Sequence, residues 1–420
     1  MPDNLARSAQ TSFSTIDTDL KAALARAIGA PALQASGRGL TVRVRLTCGT
    51  TSHDVTISEG VAVFGNTADN ADIEIAAAPS AWSKVLASPP PPRFNSFTAL
   101  QIKNDDFEVS GDPLVIAQAR AALEDLVENM IGKSTTPPDA PVARDISLIA
   151  GRYTPAVING DACDIYHEQS GQGRPVVMLH TAGADSRQYR HILSDVELAR
   201  HWRMIAFDMP FHGRTFPPAS WTGAPYNLGQ TAYADAVIAF LEQVVGEPAI
   251  LAGCSMGAAI TLVVASRRPD LLLGAIALEP PLRSPGRRNP YLADARVATG
   301  AHNGAYVRGL MSPASPIEYR KQAEWIYAQG GPGVYSGDLK FYSDEFDGHV
   351  IGPQIDGHKT SVQLLCGEYD YSATPEDGKA LAALIPGSHV ETMPRLGHFP
   401  MTENPDLFRT YFMDALKRIP

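Results

Sequence analysis

Cysteine is scarce in this chain: four residues in 420, at Cys48, Cys163, Cys254 and Cys366, with no CxxC pair. Spacing that wide supplies neither a disulfide framework nor a zinc-ligand pattern, and it suits a reducing compartment. We therefore expect a cytoplasmic protein with no metal and no cofactor. Positive charge is also in deficit. Lys and Arg number 35 against 45 Asp and Glu, a formal net charge of −10, which argues against a surface built for phosphate backbones or anionic lipid. No nucleic-acid partner is expected. Long apolar runs are missing too: none approaches the roughly 18 residues that a membrane span needs. The first 20 residues hold Asp3, Asp17 and Asp19 and lack the apolar core of a secretory leader. With 44% hydrophobic and 19% charged residues, a disordered chain is excluded as well. At this length the chain exceeds the roughly 250–300 residues at which single cores stop growing, so two domains are expected.

The clearest break is Ser134-Thr135-Thr136-Pro137-Pro138-Asp139-Ala140-Pro141, which can neither extend a helix nor join a sheet interior. It predicts a first domain over 1–133, a linker over 134–145 and a second domain over 146–420. In the first, Leu40 to Leu46, Asp54 to Ile57 and Ala71 to Ile75 alternate with period two, as half-buried strands of an antiparallel sheet do. Leu114 to Ile131 has one apolar face, with Asp112 as N-cap and Pro113 at the first helical position. This is a small α+β domain. The acidic strand Ala71-Asp72-Ile73-Glu74-Ile75, a helix near Trp82 and the closing Phe107-Glu108-Val109-Ser110-Gly111-Asp112-Pro113-Leu114 resemble the sterol-carrier-protein type 2-like fold over about 100 residues. That resemblance implies either lipid binding in an apolar tunnel or an accessory that only packs or dimerises, so a homodimer is one expected partner state.

After the linker, short runs that are apolar throughout replace the alternation: Pro175 to Leu179, Arg203 to Phe207, Ala249 to Gly253, Gly274 to Leu278, Ser361 to Cys366 and His389 to Met393. Such runs, separated by helix-length segments, predict a parallel sheet covered on both faces. Ile146 to Tyr153 and Cys163 to His167 form an antiparallel lead-in. About 80 residues separate the Gly274 and Ser361 strands, far more than a crossover needs. A cap is expected there, over about 281–360.

Gly253-Cys254-Ser255-Met256-Gly257 follows an apolar strand and precedes a helix-compatible stretch. A nucleophile on so tight a turn needs small flanking residues, and the helix beyond it aims free amides at developing negative charge. His180-Thr181-Ala182-Gly183, Asp208 to Arg214, Gly367-Glu368-Tyr369-Asp370 and Gly397-His398-Phe399-Pro400 each follow a predicted strand. Together with the serine turn they make residues 146–420 resemble an α/β-hydrolase, with a mostly parallel eight-stranded sheet and a helical cap. The resemblance implies Ser255 as nucleophile, Asp370 as acid and His398 as base. Glu279, at the end of the sixth strand, and Glu368 are rival acids. For the oxyanion the amides of Met256 and Ala182 are expected, with Thr181 as a rival donor or a substrate contact. His180 is expected to shape its loop, and Asp208 to hold a turn.

Nine aromatics fall between Tyr291 and Phe346, and Trp325 among them is a candidate substrate contact. Arg283, Arg287 and Arg288 lie where a substrate carboxylate could be held, though solvated exposure is the plainer expectation. Asp344, Glu345, Asp347, His349, Asp356 and His358 match no metal-ligand spacing. The expected activity is hydrolysis of a carboxylic ester, a lactone or carbamate included, of a small-molecule substrate through an acyl-enzyme on Ser255. The alternatives are hydrolysis of a carbon–carbon bond in ring-cleavage products, and a non-catalytic lipid-binding or scaffold protein.

Overall fold

Thirteen strands among the described residues assemble into two separate sheets. The computed structural model describes residues 2–66, 70–131 and 139–420; residues 134–138 of the expected linker lie outside them. The first sheet contains β1 (Thr41–Cys48), β2 (Thr51–Ser58), β3 (Val61–Phe64), β4 (Ile73–Ala77) and β5 (Phe107–Gly111), in the order β3-β2-β1-β4-β5. Alternation along β1 turns Val42, Val44, Leu46 and Cys48 inward, and a two-residue turn pairs Cys48 with Thr51 of β2. The sheet is mixed rather than antiparallel. From edge strand β3 the chain passes to the far side of β1, where β4 lies parallel to it. The helix Pro113–Met130 starts as its sequence predicts: Pro113 occupies the first position and the Asp112 carboxylate accepts from Leu114 N at 2.9 Å.

The chain divides into two compact units, and the division cuts across the expected cap. Residues 294–314, inside that 281–360 stretch, fold with residues 1–137; the second unit holds 138–293 and 315–420. Within the first unit the helix Thr299–Arg308 ends on Arg308, whose buried guanidinium meets Asp125 at 2.6 Å and Glu128 at 2.7 Å. Asn95 and Ser96 bind the carbonyls of Met311 and Gly309 at 3.0 and 2.8 Å. The segment is therefore tied to the first unit by buried polar contacts.

The second sheet runs β13-β12-β11-β10-β8-β9-β7-β6. Its strands are β6 (Ala150–Ile158), β7 (Asp161–Ser170), β8 (Arg174–Leu179), β9 (Trp202–Phe207), β10 (Ala249–Cys254), β11 (Leu272–Leu278), β12 (Ser361–Gly367) and β13 (His389–Met393). Pairing from β9 to β13 is parallel throughout, while β7 is antiparallel to both β6 and β9. Every residue of β10 is buried, as its unbroken apolar run requires of a strand covered on both faces. The first lead-in strand begins at Ala150 instead of Ile146, because Asp145 caps a short turn over Ile146–Leu148. The parallel strands all end on one edge, the place where such sheets gather functional loops. Over 315–360, where the sequence reading places the rest of the cap, the chain forms the helices Ile317–Ala328, Val334–Leu339 and Gly348–Ile351.

Candidate active site

The turn after β10 is held open by two close approaches. A Cβ on Gly253 would sit 2.2 Å from the Gly257 carbonyl oxygen, and one on Gly257 would sit 2.6 Å from the Leu179 carbonyl oxygen. Glycine at both positions lets the helix Met256–Arg267 start directly against the end of β8. Ser255 bridges strand and helix at φ 57° and ψ −113°, a region that costs a non-glycine residue about 1–3 kcal/mol and persists only where its surroundings enforce it. Here they do: Ser255 N–H donates to Leu278 O at 2.9 Å and Ser255 O receives Ala259 N at 3.0 Å.

Ser255 Oγ lies 2.8 Å from His398 Nε2, and His398 Nδ1 lies 2.6 Å from Asp370 Oδ2. All three residues are buried. The other oxygen of Asp370 accepts the amides of Ser372 and Ala373 at 2.7 and 3.1 Å, so the carboxylate is fixed before it meets the imidazole. The Cys254 thiol donates to His398 O at 3.3 Å and ties the histidine loop to the serine turn. Burial, aided by Glu279 and Asp370, pushes that thiol well up and keeps it neutral.

Of the three acids weighed from sequence, Asp370 is the one on His398. Glu368 is exposed and accepts Arg395 N at 2.9 Å. Glu279 is fully buried at φ 50°, where it accepts Gly367 N at 2.7 Å. Burial first, and the neighbouring Asp370 charge second, push its carboxyl well above the usual range, which favours the protonated form beside Asp370.

The His180-Thr181-Ala182-Gly183 loop follows β8. Met256 and Ala182, the expected oxyanion donors, each keep their amide off other backbone groups among the described residues. Thr181 is committed differently: its amide donates to Gln188 Oε1 at 2.9 Å, and its hydroxyl is shared between Gln188 and the Tyr327 hydroxyl. The His180 Nδ1–H donates to Thr181 O at 2.9 Å while Nε2 accepts Met209 N at 3.3 Å, a loop-shaping geometry. Burial lowers this imidazole to about 4. Asp208 likewise holds a turn, accepting Ser186 N and Arg214 N at 2.8 and 2.7 Å.

Trp325 does not enter the site: it is 64% exposed on Ile317–Ala328. Tyr327, on the same helix, is the buried one. Positions two apart on a helix point roughly 200° apart, so burying one turns the other outward. Two further residues escaped the sequence reading. Asp338 receives Gly183 N at 2.7 Å, the Tyr226 hydroxyl at 2.8 Å and His212 Nε2 at 2.8 Å. His212 Nδ1 also points at Pro210 O, so both ring nitrogens face acceptors. Burial opposes charge on this imidazole, but Asp338 outweighs it and raises the group, as an imidazolium paired with a carboxylate requires. His212 lies inside the Asp208 to Arg214 motif but was given no role of its own, and a lone Asp at 338 gives no local signal. Among the described residues, no group of three His, Cys, Asp or Glu side chains is placed to hold a metal ion.

Comparison with known proteins bears on the family and the fold. Residues 176–410 match the family described as the Alpha/beta hydrolase family. A zearalenone hydrolase of Cladophialophora bantiana is 22% identical over 280 residues, 64% of this chain and 98% of that protein. The 2-hydroxy-6-oxo-6-(2'-aminophenyl)hexa-2,4-dienoic acid hydrolase of Metapseudomonas resinovorans is 25% identical over 295 residues, 63% of this chain and 92% of that one. Among solved structures, a thermophilic esterase from Thermogutta terrifontis superposes with a TM-score of 0.53 at 21% identity, covering 64% of this chain and 99% of its own. At that identity the likeness speaks for the fold. No helix among the described residues is long and apolar enough to cross a membrane.

Proposed function

The chain belongs to the alpha/beta hydrolase family, and from that premise we propose that it cleaves a carboxylic ester, a lactone or carbamate included, through an acyl-enzyme on Ser255. One observation carries the reading: the continuous relay from Ser255 Oγ to His398 Nε2 and from His398 Nδ1 to Asp370 Oδ2, at 2.8 and 2.6 Å. As Ser255 Oγ bonds to the carbonyl carbon, His398 Nε2 takes its proton, and Asp370 stabilises the imidazolium without itself being protonated. The carbonyl oxygen becomes an oxyanion between the amides of Met256 and Ala182, each worth about 10²–10³-fold in rate where such a donor is well aimed. When the intermediate collapses, His398 returns the proton to the leaving alcohol. Water then enters, gives a proton to the same nitrogen and releases the acid, restoring Ser255.

Carbon–carbon hydrolysis is the second reading, supported by the similarity to the dienoic acid hydrolase. It uses the same serine and differs in which bond leaves. For the first unit, the five-stranded sheet with the Pro113–Met130 helix in its core supports the sterol-carrier-like reading, as an accessory rather than a second catalytic centre. A fluorophosphonate probe should label Ser255 in the full chain, shown by peptide mass, and Ser255→Ala should abolish both labelling and turnover across a panel of esters and a vinylogous diketo acid. Unlabelled Ser255 in active protein would end the acyl-enzyme reading, and product analysis on the panel separates the two bond types.

A further inference from the structure

Three polar side chains near Ser255 take no part in the proton relay. Arg287 is 7% exposed, whereas the side chains of Arg283 and Arg288 in the same loop are 61% and 38% exposed. The expectation of a solvated arginine cluster fails for this one residue. Its amide donates to Ser343 Oγ at 3.1 Å, and its guanidinium donates to Ser372 Oγ, two residues beyond Asp370. Ser343 directly follows Tyr342, whose buried hydroxyl lies close enough to those of Ser255 and Ser284 to interact with both. Even so, Tyr342 Oη and Ser284 Oγ are buried atoms that close no hydrogen bond.

Buried hydroxyls left in that state call for an explanation, and a ligand group that accepts from them is one. Burial pushes the Tyr342 phenol up, against the pull of Arg287, so it remains a donor. The cluster thus offers two hydroxyl donors and a fixed positive charge. A planar guanidinium fits a carboxylate better than any other anion-binding side chain, and donors buried without their acceptor discriminate against a neutral analogue.

We propose that Arg287, Tyr342 and Ser284 form a carboxylate-binding subsite, so that the molecule cleaved at Ser255 carries a free carboxylate in addition to the scissile bond. The proposal rests on the serine-hydrolase reading given above and narrows its substrate class to anionic esters.

The test uses the full chain and two esters, p-nitrophenyl hemisuccinate and p-nitrophenyl butyrate, in which a carboxylate replaces a methyl group. Wild type should favour the hemisuccinate in kcat/KM by about 10–100-fold, the range expected of charge-assisted hydrogen bonds. Arg287→Met should bring that ratio near unity, Arg287→Lys should restore part of it, and Tyr342→Phe should lower it by a smaller factor. Arg283→Met, at an exposed position, should leave the ratio unchanged. A wild-type enzyme without the preference, or Arg287→Met lowering both esters by the same factor, would overturn the subsite, the second result making Arg287 only a support for the Asp370 turn. If the Arg287 variants do not fold, succinate should protect wild-type Ser255 from a fluorophosphonate while butyramide should not; equal protection would overturn the proposal. Loss of preference with Ser255 still essential leaves the hydrolase reading standing, whereas turnover of both esters by Ser255→Ala sinks that reading and the subsite with it.

Discussion

Glu124 in the first unit and Asp370 in the second are buried carboxylates with nearly the same local support. Glu124 accepts the amides of Phe97 and Thr98 at 3.1 and 2.7 Å; Asp370 accepts those of Ser372 and Ala373 at 2.7 and 3.1 Å. What differs is the next neighbour. Glu124 goes on to the Thr98 hydroxyl, which Arg120 in turn contacts at 2.8 Å, and its amides belong to the first turn of the helix Phe97–Ile102. Burial raises its carboxyl against the opposing effects of Thr98, Arg308 and Arg120. Asp370 instead spends its second oxygen on an imidazole that itself reaches a hydroxyl. A buried acid held by amides is therefore a structural device until it meets a group able to exchange a proton. That partner, rather than burial, separates a helix anchor from a relay.

The sharpest way to break this contrast is to remove the relay itself. Ser255→Ala should cost about 10⁶-fold in kcat and Asp370→Asn about 10⁴-fold with little change in KM, as measured on the ester panel. If Asp370→Asn retained most of the activity, the geometric choice of acid would be wrong. Next, Asp338→Ala should lower unfolding free energy by about 3–5 kcal/mol by stranding the His212 imidazolium, and should lower kcat through the Gly183 loop. Glu124→Ala should destabilise the first unit by a similar amount, about 3–5 kcal/mol, and leave kcat/KM within about twofold. Calorimetry and limited proteolysis, read beside the kinetics, would show whether stability and turnover separate as the comparison demands.

The smallest effect concerns Glu279. Its folded pKa is raised, so above about pH 4.5, the reference carboxylate value, the unfolded chain releases a proton that the folded one keeps, and stability falls as pH rises toward the raised value. Glu279→Gln is neutral at every pH and removes that slope. The difference in Tm, variant minus wild type, should grow from pH 5 to pH 8, while kcat stays within about threefold because the side chain was already uncharged. A difference that failed to grow with pH would mean that Glu279 is ionised in the fold.

Much of the fold was legible along the chain because its signals repeat over short distances. The unbroken apolar runs of β10 and β12 marked strands covered on both faces, and Asp112-Pro113 marked a helix start within one residue. The first sheet was harder: alternation located β1, β2 and β4 but not the parallel pairing of β1 with β4, since period two is the same in either direction. In the site, Ser255, His398 and Asp370 stood in recognisable turns. Asp338 and Tyr342 did not, because each acts from an element whose local pattern is ordinary.

Residue order alone carries the local grammar: where strands and helices begin, that a glycine-flanked serine occupies a strand-to-helix turn, and that an acid and a histidine follow in that order. Long-range packing selects Asp370 rather than Glu279 or Glu368 for His398, turns Tyr327 rather than Trp325 inward, buries Arg287 among three nearby arginines, and folds residues 294–314 with the first unit. One cause underlies all four. Burial and hydrogen bonding are settled by segments tens to hundreds of residues apart, and a side chain's own neighbours in sequence carry no record of them.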